Sequence, residues 1–314
     1  MSVFLVSGGA GFIGSHIVER LVKDGHKVRV LDNLITGKKD NLSSCLEKIE
    51  FFEGDIRDDN VLKKSVSGCE YVLHQAALRS VPKSILDPLG YHDANVTGTL
   101  KLLLAARDAK IKRFVLASSS SVYGDVDKFP EREDFLAKPI SPYAATKLLD
   151  EYYCYLFSQA YELETVSLRY FNVFGPRQSL ESLYAIVVPK FIDCIIRGEA
   201  CPVHGDVLQR RDFTFVDNVV EANILAATTN NQVSGQTFNV ASGKDYSVLD
   251  LIKLLNKILG KDVKPNFIDK RPGDVMRTSA DISKAKRLLG YSTKVHFEEG
   301  LKKTVEYFKT KGFK

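Results

Sequence analysis

The ten residues "SGGAGFIGSH" (7–16) place glycines at positions 8, 11 and 14. They follow a short apolar run, "VFLVS" (3–7), and lead into "GSHIVERLVKDG", whose apolar residues recur at helical spacing. A glycine triplet alone is weak evidence, because a glycine-rich turn can be purely structural. Between a strand and a helix it constrains the fold tightly. Residues without side chains permit the sharp turn, and they let backbone N–H groups at the positive helix end approach a pyrophosphate. Gly8, Gly11 and Gly14 are therefore expected to cradle a dinucleotide.

The same strand-to-helix step repeats along the first half. "KVRVLD" (27–32), "IEFFEGD" (49–55), "YVLHQAA" (71–77), "KRFVLASS" (112–119) and "LETVSLRY" (163–170) read as strands. "DDNVLKKSVSG", "NVTGTLKLLLAARDAK" and "SPYAATKLLDEYYCYLFSQAY" read as helices between them. Such alternation predicts an α/β, doubly wound Rossmann-type parallel sheet with its ligands at the carboxyl ends of the strands. Beyond about residue 172 the pattern loosens. The short strands "CPVHG", "RDFTFV", "QTFNVAS" and "VKPNFI" mix with four helices, the last from Glu298 onward. The expected division is a dinucleotide-binding domain over 1–172, which also contributes the catalytic residues, and a smaller α+β portion over 173–314 that mainly binds the substrate.

Composition narrows the partners. Lys and Arg number 44 against 39 Asp and Glu, a surplus too small to argue for nucleic acid or a membrane surface, though it suits anionic small molecules. The five cysteines (Cys45, Cys69, Cys154, Cys194, Cys201) form no CxxC pair, and the six histidines form no HxxxH pair, so no metal site is expected. No apolar run approaches the ~18 residues of a membrane span. With unpaired thiols and no leader ahead of the glycine loop, a cytoplasmic protein is expected.

Asp32 ends the second strand about twenty residues past the glycines, where a carboxylate can accept both ribose hydroxyls of adenosine. Its charge would repel a 2′-phosphate, which favours NAD over NADP. Lys38 and Lys39 temper that preference, as phosphate partners or as solvated loop charges. Asp55 can meet adenine or serve as a turn residue. Further along, "SPYAATK" sets Tyr143 and Lys147 on one face of a helix. A phenol with an ordinary pKa near ~10 is a poor base; a neighbouring ammonium favours its phenolate. Four serines, 118–121, close the fifth strand where the nicotinamide is expected. Their hydroxyls can hold a sugar alcohol or ketone and pass a proton to Tyr143, while Ser118 or Ser121 caps backbone groups.

"GGAGFIG", "HQAA", "ASSSSVYG", "SPYAATK", "LRYFNVFGPRQ", "RRDFTFVDN" and "RPGDVMRTSADISKAK" together resemble the extended short-chain dehydrogenase/reductases that act on nucleotide sugars, from Ser2 to about Tyr307. The likeness is greatest to UDP-hexose and UDP-N-acetylhexosamine 4-epimerases. It implies NAD contacts at Phe12, Ile13, Asp32, Asn33, Leu34, Thr36, Gly37, Asp55, Ile56, Gln75, Ala76, Ala77, Asn95, Tyr143, Lys147 and Phe171. It adds Arg79, where many relatives carry Lys. It makes Ser119, Tyr143 and Lys147 the catalytic set. For the UDP-sugar it implies Ser119, Tyr143, Asn172, Val187, Val188, Val203, His204, Arg211, Arg271 and Asp274, and a homodimer formed through two helices per subunit that begin near Asp87 and Ser141.

In the related dehydratases and decarboxylases the residues before Val-Tyr-Gly include a carboxylate. Here Ser120 and Ser121 stand in those places. A hydroxyl cannot perform that proton transfer at neutral pH, so the chemistry is expected to stop at oxidation and re-reduction of C4, which is epimerisation. Thr278 stands where glucose-restricted relatives carry Tyr. A small residue leaves room for a 2-acetamido group, unless Thr278 merely packs and another residue narrows the pocket. UDP-GlcNAc/UDP-GalNAc and UDP-Glc/UDP-Gal are the expected substrates. The rivals are a UDP-uronate epimerase, with Arg79 meeting the C6 carboxylate, an atypical dehydratase, and a non-catalytic NAD-sensing relative.

Overall fold

In the computed structural model, which describes residues 1–180, 187–205, 209–269 and 275–312, period-two alternation splits each central strand between two cores. In β1 (Val3–Ser7), Phe4 and Val6 enter one core and Leu5 the other. β2 (Lys27–Asp32), β3 (Ile49–Glu53), β4 (Tyr71–His74), β5 (Arg113–Ser119) and β6 (Glu164–Tyr170) form where the sequence pattern places them. The later strands are β7 (Val173–Phe174), β8 (Cys201–His204), β9 (Arg210–Asp212), β10 (Thr214–Phe215), β11 (Gln236–Val240), β12 (Asp245–Ser247) and β13 (Pro265–Ile268).

One parallel sheet runs β11-β6-β5-β4-β1-β2-β3. Strand order reverses between β1 and β4, and that switch point is where a crevice opens at the carboxyl ends. α1 (Phe12–Lys23) covers one face, burying Ile17, Val18 and Leu21. α2 (Asp59–Val66), α5 (Gly98–Asp108) and α6 (Pro142–Ala160) cover the other with Leu62, Leu102, Leu103, Cys154 and Phe157. Between them lie α3 (Val81–Leu86), α4 (Pro88–Tyr91) and a π-helical turn at 92–97.

The chain past residue 172 also enters this sheet. β11 pairs in register with β6, Gln236 opposite Val166, and becomes its seventh strand. After α7 (Val187–Arg197), α8 (Val216–Thr228) lays Val219, Ala222 and Ala226 on the α1 face. "RDFTFV", expected as one strand, divides at Phe213, which stacks on Phe297 at 5.0 Å between ring centres. That ring sits in a separate aromatic core with Phe174, Phe191 and Phe215, closed by α9 (Val248–Leu259) and α11 (Phe297–Lys311). α10 (Ser283–Leu289) adds Ala285 and Leu289 to the α1-side core. All five cysteines are buried free thiols. No described helix is long and apolar enough to cross a membrane.

Candidate functional site

The glycine loop is built for close approach. Gly8 has φ +70°, and a Cβ there would stand 2.6 Å from the amide nitrogen of Ala76, just past β4. A Cβ on Gly14 would run into the carbonyl of Gly8. Gly11 precedes α1 as its N-terminal cap, so its backbone and that of Phe12 and Ile13 form the helix's positive end. At the end of β2, Asp32 accepts from the N–H groups of Ala10 (2.9 Å) and Leu34 (2.9 Å). Burial pushes its carboxyl up, and those two donors oppose the shift. Gly37 lies against the same carboxylate, and Asn33, Leu34 and exposed Thr36 complete the loop around it. A cradle that any side chain would fill, facing a carboxylate held by backbone donors, fits an adenine dinucleotide.

Several neighbours take roles that local pattern did not reveal. Asp55, the turn residue beside Ile56, shares its carboxylate with Arg57 (2.8 Å) and Asn33 (2.9 Å), and Arg57 holds it well below the usual carboxylate range. Lys39 pairs with Glu53 at 2.7 Å. Gln75, ahead of Ala76 and Ala77, donates to Asn223 (3.0 Å) and accepts from the Tyr170 hydroxyl (3.2 Å). Asn95 bonds both backbone groups of Leu78 and also Thr146 (3.0 Å), tying the loop after β4 to α6. The Phe171 side chain is fully buried against Tyr123, so only its backbone is available to a ligand.

At the chemical end, Ser141 caps α6 and Pro142 opens it. Tyr143 faces the crevice, and Lys147, one turn on, is only 3% exposed. Its ammonium lies 3.4 Å from the Asp150 carboxylate. The serines divide their labour. Ser118 is buried and donates to Glu151 (2.5 Å), which Arg169 grips with two hydrogen bonds (2.9 and 2.7 Å). The capping expected of Ser118 or Ser121 falls instead to Ser119, whose Oγ accepts from the backbone N–H (3.2 Å) and hydroxyl (2.9 Å) of Ser121.

Ser119 and Tyr143 line one cavity of about 540 Å³ with Phe12, Ile13, Arg79, Asn172, Val187, Val188, Val203, His204, Arg211 and Thr278. Arg271 and Asp274 lie outside the described residues. Arg79 is exposed to the cleft, and among the described residues its guanidinium has no hydrogen-bond or ion-pair partner. The protein around it pushes its pKa down, opposed by the hydroxyls of Tyr143 and Tyr91. Asn172 donates to Thr278 Oγ1 (2.7 Å) and to the Asp212 carbonyl (3.2 Å). His204 bonds the Asp269 carbonyl (3.0 Å), and Arg211 donates to the Met276 carbonyl (3.0 Å).

Two acids that the sequence reading missed anchor this wall. Asp212 accepts from Ser242 and Gly243, and Glu131 accepts from the Ser279 N–H at 2.7 Å. Burial raises Glu131 to about 7 and Asp212 to about 6. Asp212 stands within the quoted "RRDFTFVDN", but nothing local marks a carboxylate there as internal.

Comparison with known proteins agrees with this geometry. The family model described as NAD dependent epimerase/dehydratase family matches residues 4–241. A UDP-glucose 4-epimerase of Mycolicibacterium smegmatis is 38% identical over 311 residues, covering 98% of each chain. The solved UDP-N-acetylglucosamine 4-epimerase of Methanobrevibacter ruminantium, in complex with UDP-N-acetylmuramic acid, is 40% identical over 98% of both chains, with a TM-score of 0.94. A UDP-glucuronic acid 4-epimerase of Bacillus cereus, in complex with UDP-glucuronic acid and NAD, is 34% identical, covering 98% of this chain and 99% of that one, with a TM-score of 0.92. With its glycine cradle at the switch point and a tyrosine and serine sharing one cleft, the chain belongs to the NAD dependent epimerase/dehydratase family.

Proposed function

We propose that this protein inverts C4 of UDP-hexoses. One observation carries the reading. The cavity shared by Ser119 and Tyr143 presents the cations Arg79, Lys190 and Arg211, and its described lining contains no carboxylate. Cations suit a diphosphate. Hydroxyls at Ser119, Ser120 and Ser121, with no carboxylate among the described lining residues, do not favour expulsion of a sugar hydroxyl.

The Gly8–Gly14 loop and Asp32 would hold NAD, which would supply a reversible hydride acceptor for C4, so that no second substrate would be consumed. The protein's own groups move the proton. Tyr143, as the phenolate that the Lys147 ammonium favours, takes it from the C4 hydroxyl as that carbon is oxidised. Ser119 holds the C4 oxygen. Arg211 and the backbone at Val203 and His204 retain UDP, while the sugar end meets small side chains at Ser120, Ser121 and Thr278. The 4-keto sugar can therefore turn and present its other face, and Tyr143 gives the proton back. Tyr143→Phe is expected to lower turnover by at least 10³-fold, a size in keeping with general acid–base catalysis, while UDP-sugar still binds in calorimetry. Near-normal rates would dispose of the assignment.

We assign UDP-GlcNAc/UDP-GalNAc and UDP-Glc/UDP-Gal as the substrates, on the small volume of Thr278 at the cavity wall. A UDP-uronate is the second reading, favoured by the guanidinium of Arg79 in the cleft, which has no partner among the described residues. A homodimer is proposed on exposed apolar residues of neighbouring helices, Leu86 and Leu89 beside Tyr152, Tyr155 and Leu156. The buried free thiols support a place in the cytoplasm.

A further inference from the structure

Three residues beyond Lys147, α6 carries a carboxylate that the reaction above does not use. Asp150 is 0% exposed. Its Oδ2 lies 3.4 Å from the Lys147 ammonium, and its Oδ1 is buried without a hydrogen-bond partner. An acid so placed would not be kept for packing alone, because a half-satisfied buried carboxylate is costly.

The surrounding groups leave Asp150 as the local counter-charge. Glu151, next on the helix, is bound to Arg169 and Ser118. From β4, His74 sits between the hydroxyls of Ser7 (2.6 Å) and Thr99 (2.8 Å), and burial lowers it to about 3, so it stays neutral. Cys154, one turn on, is raised strongly by burial and also stays neutral. No other anion pairs with Lys147 among the described residues.

We infer that Asp150 is a positioning residue that shares the Lys147 ammonium with Tyr143 and thereby sets the pH range in which the tyrosine works. When ionised, it draws the ammonium along the helix and cancels part of its field at Tyr143. When protonated, it leaves that charge to the phenol. Burial raises Asp150 to about 7, with Lys147 and the Thr99 hydroxyl opposing, so the exchange falls in the working range.

The inference rests on the Tyr143–Lys147 reading, and its test is separate from that reading. Asp150→Asn keeps the shape and removes the charge. Both limbs of the pH profile of kcat/KM are expected to move to lower pH, by about half to one unit. The acid limb moves because Tyr143 meets an uncompensated ammonium, the alkaline limb because that ammonium has lost its partner. Asp150→Ser, also uncharged, should move them the same way. On the wild-type holoenzyme, the phenolate absorbance lost in Tyr143→Phe should titrate more broadly than one independent proton. A purely structural Asp150 would lower kcat evenly with the limbs in place. Unmoved limbs, or a simple one-proton phenolate curve, would overturn the inference while leaving Tyr143 as the base.

Discussion

Thr278 serves the wall and the fold with one small side chain. Its hydroxyl accepts from Asn172 (2.7 Å) and from the Asp212 N–H (3.3 Å), while the residue lines the cavity at 6% exposure. A tyrosine there is expected to project into the cavity and fill the space proposed for a 2-acetamido group. Thr278→Tyr is expected to lower kcat/KM for UDP-GlcNAc by more than ~10-fold relative to UDP-Glc, the scale of a pocket-wall contact. Thr278→Val, which removes only the hydroxyl ties, calibrates the structural part of the loss. Equal losses on both sugars would contradict the pocket argument. At this scale, Tyr143, Lys147 and Asp32 stand out in the sequence because the chemistry proposed for them requires fixed spacing from a glycine loop or along a helix, whereas Ser119 is singled out only by the family resemblance. Asp150, Glu131 and Asp212 do not stand out. A carboxylate in a sequence reads as surface, and only packing by distant segments makes these internal.

The α6 helix shows what an element can encode on two sides. Its inner face carries Tyr143, Lys147 and Asp150, and its outer face leaves Tyr152 (60%), Tyr155 (56%) and Leu156 (46%) exposed. Beside it, α3 and α4 expose Leu86 (83%) and Leu89 (82%). Such clustering exceeds the scatter of single apolar side chains normal on a surface. The wild-type protein is expected to sediment as a dimer, and the double substitution Leu89→Glu with Tyr152→Glu as a folded monomer. A wild-type monomer would contradict the proposal. The sequence pattern placed this helix within a residue at its start because Ser141 and Pro142 mark it. The aromatic run "YYCYLF" could not be divided between core and surface from spacing alone. The structure divides it, burying Cys154 and Phe157 and exposing Tyr152, Tyr155 and Leu156.

For the whole molecule, alternation of strands and helices made the first six strands and the crevice legible. The strand at Gln236–Val240 was legible too, but not its place as the seventh of this sheet, since a five-residue run can join any sheet edge and β6 selects it only once the chain has folded back. This return places helix α8 under the sheet and holds the wall at Thr278 against the end that carries Ser119 and Tyr143. The molecule thereby brings together a cofactor cradle, the proposed proton-transfer pair and a cationic cleft, with hydroxyls where a related reaction would need an acid. The most direct test is product analysis after incubating the purified holoenzyme separately with UDP-Glc, UDP-GlcNAc and UDP-GlcA. The expected products are the C4 epimers of UDP-GlcNAc and of UDP-Glc, with unchanged mass and no net NADH. A dehydrated 4-keto-6-deoxy sugar, a pentose, or no conversion of any of the three would contradict the proposed epimerisation.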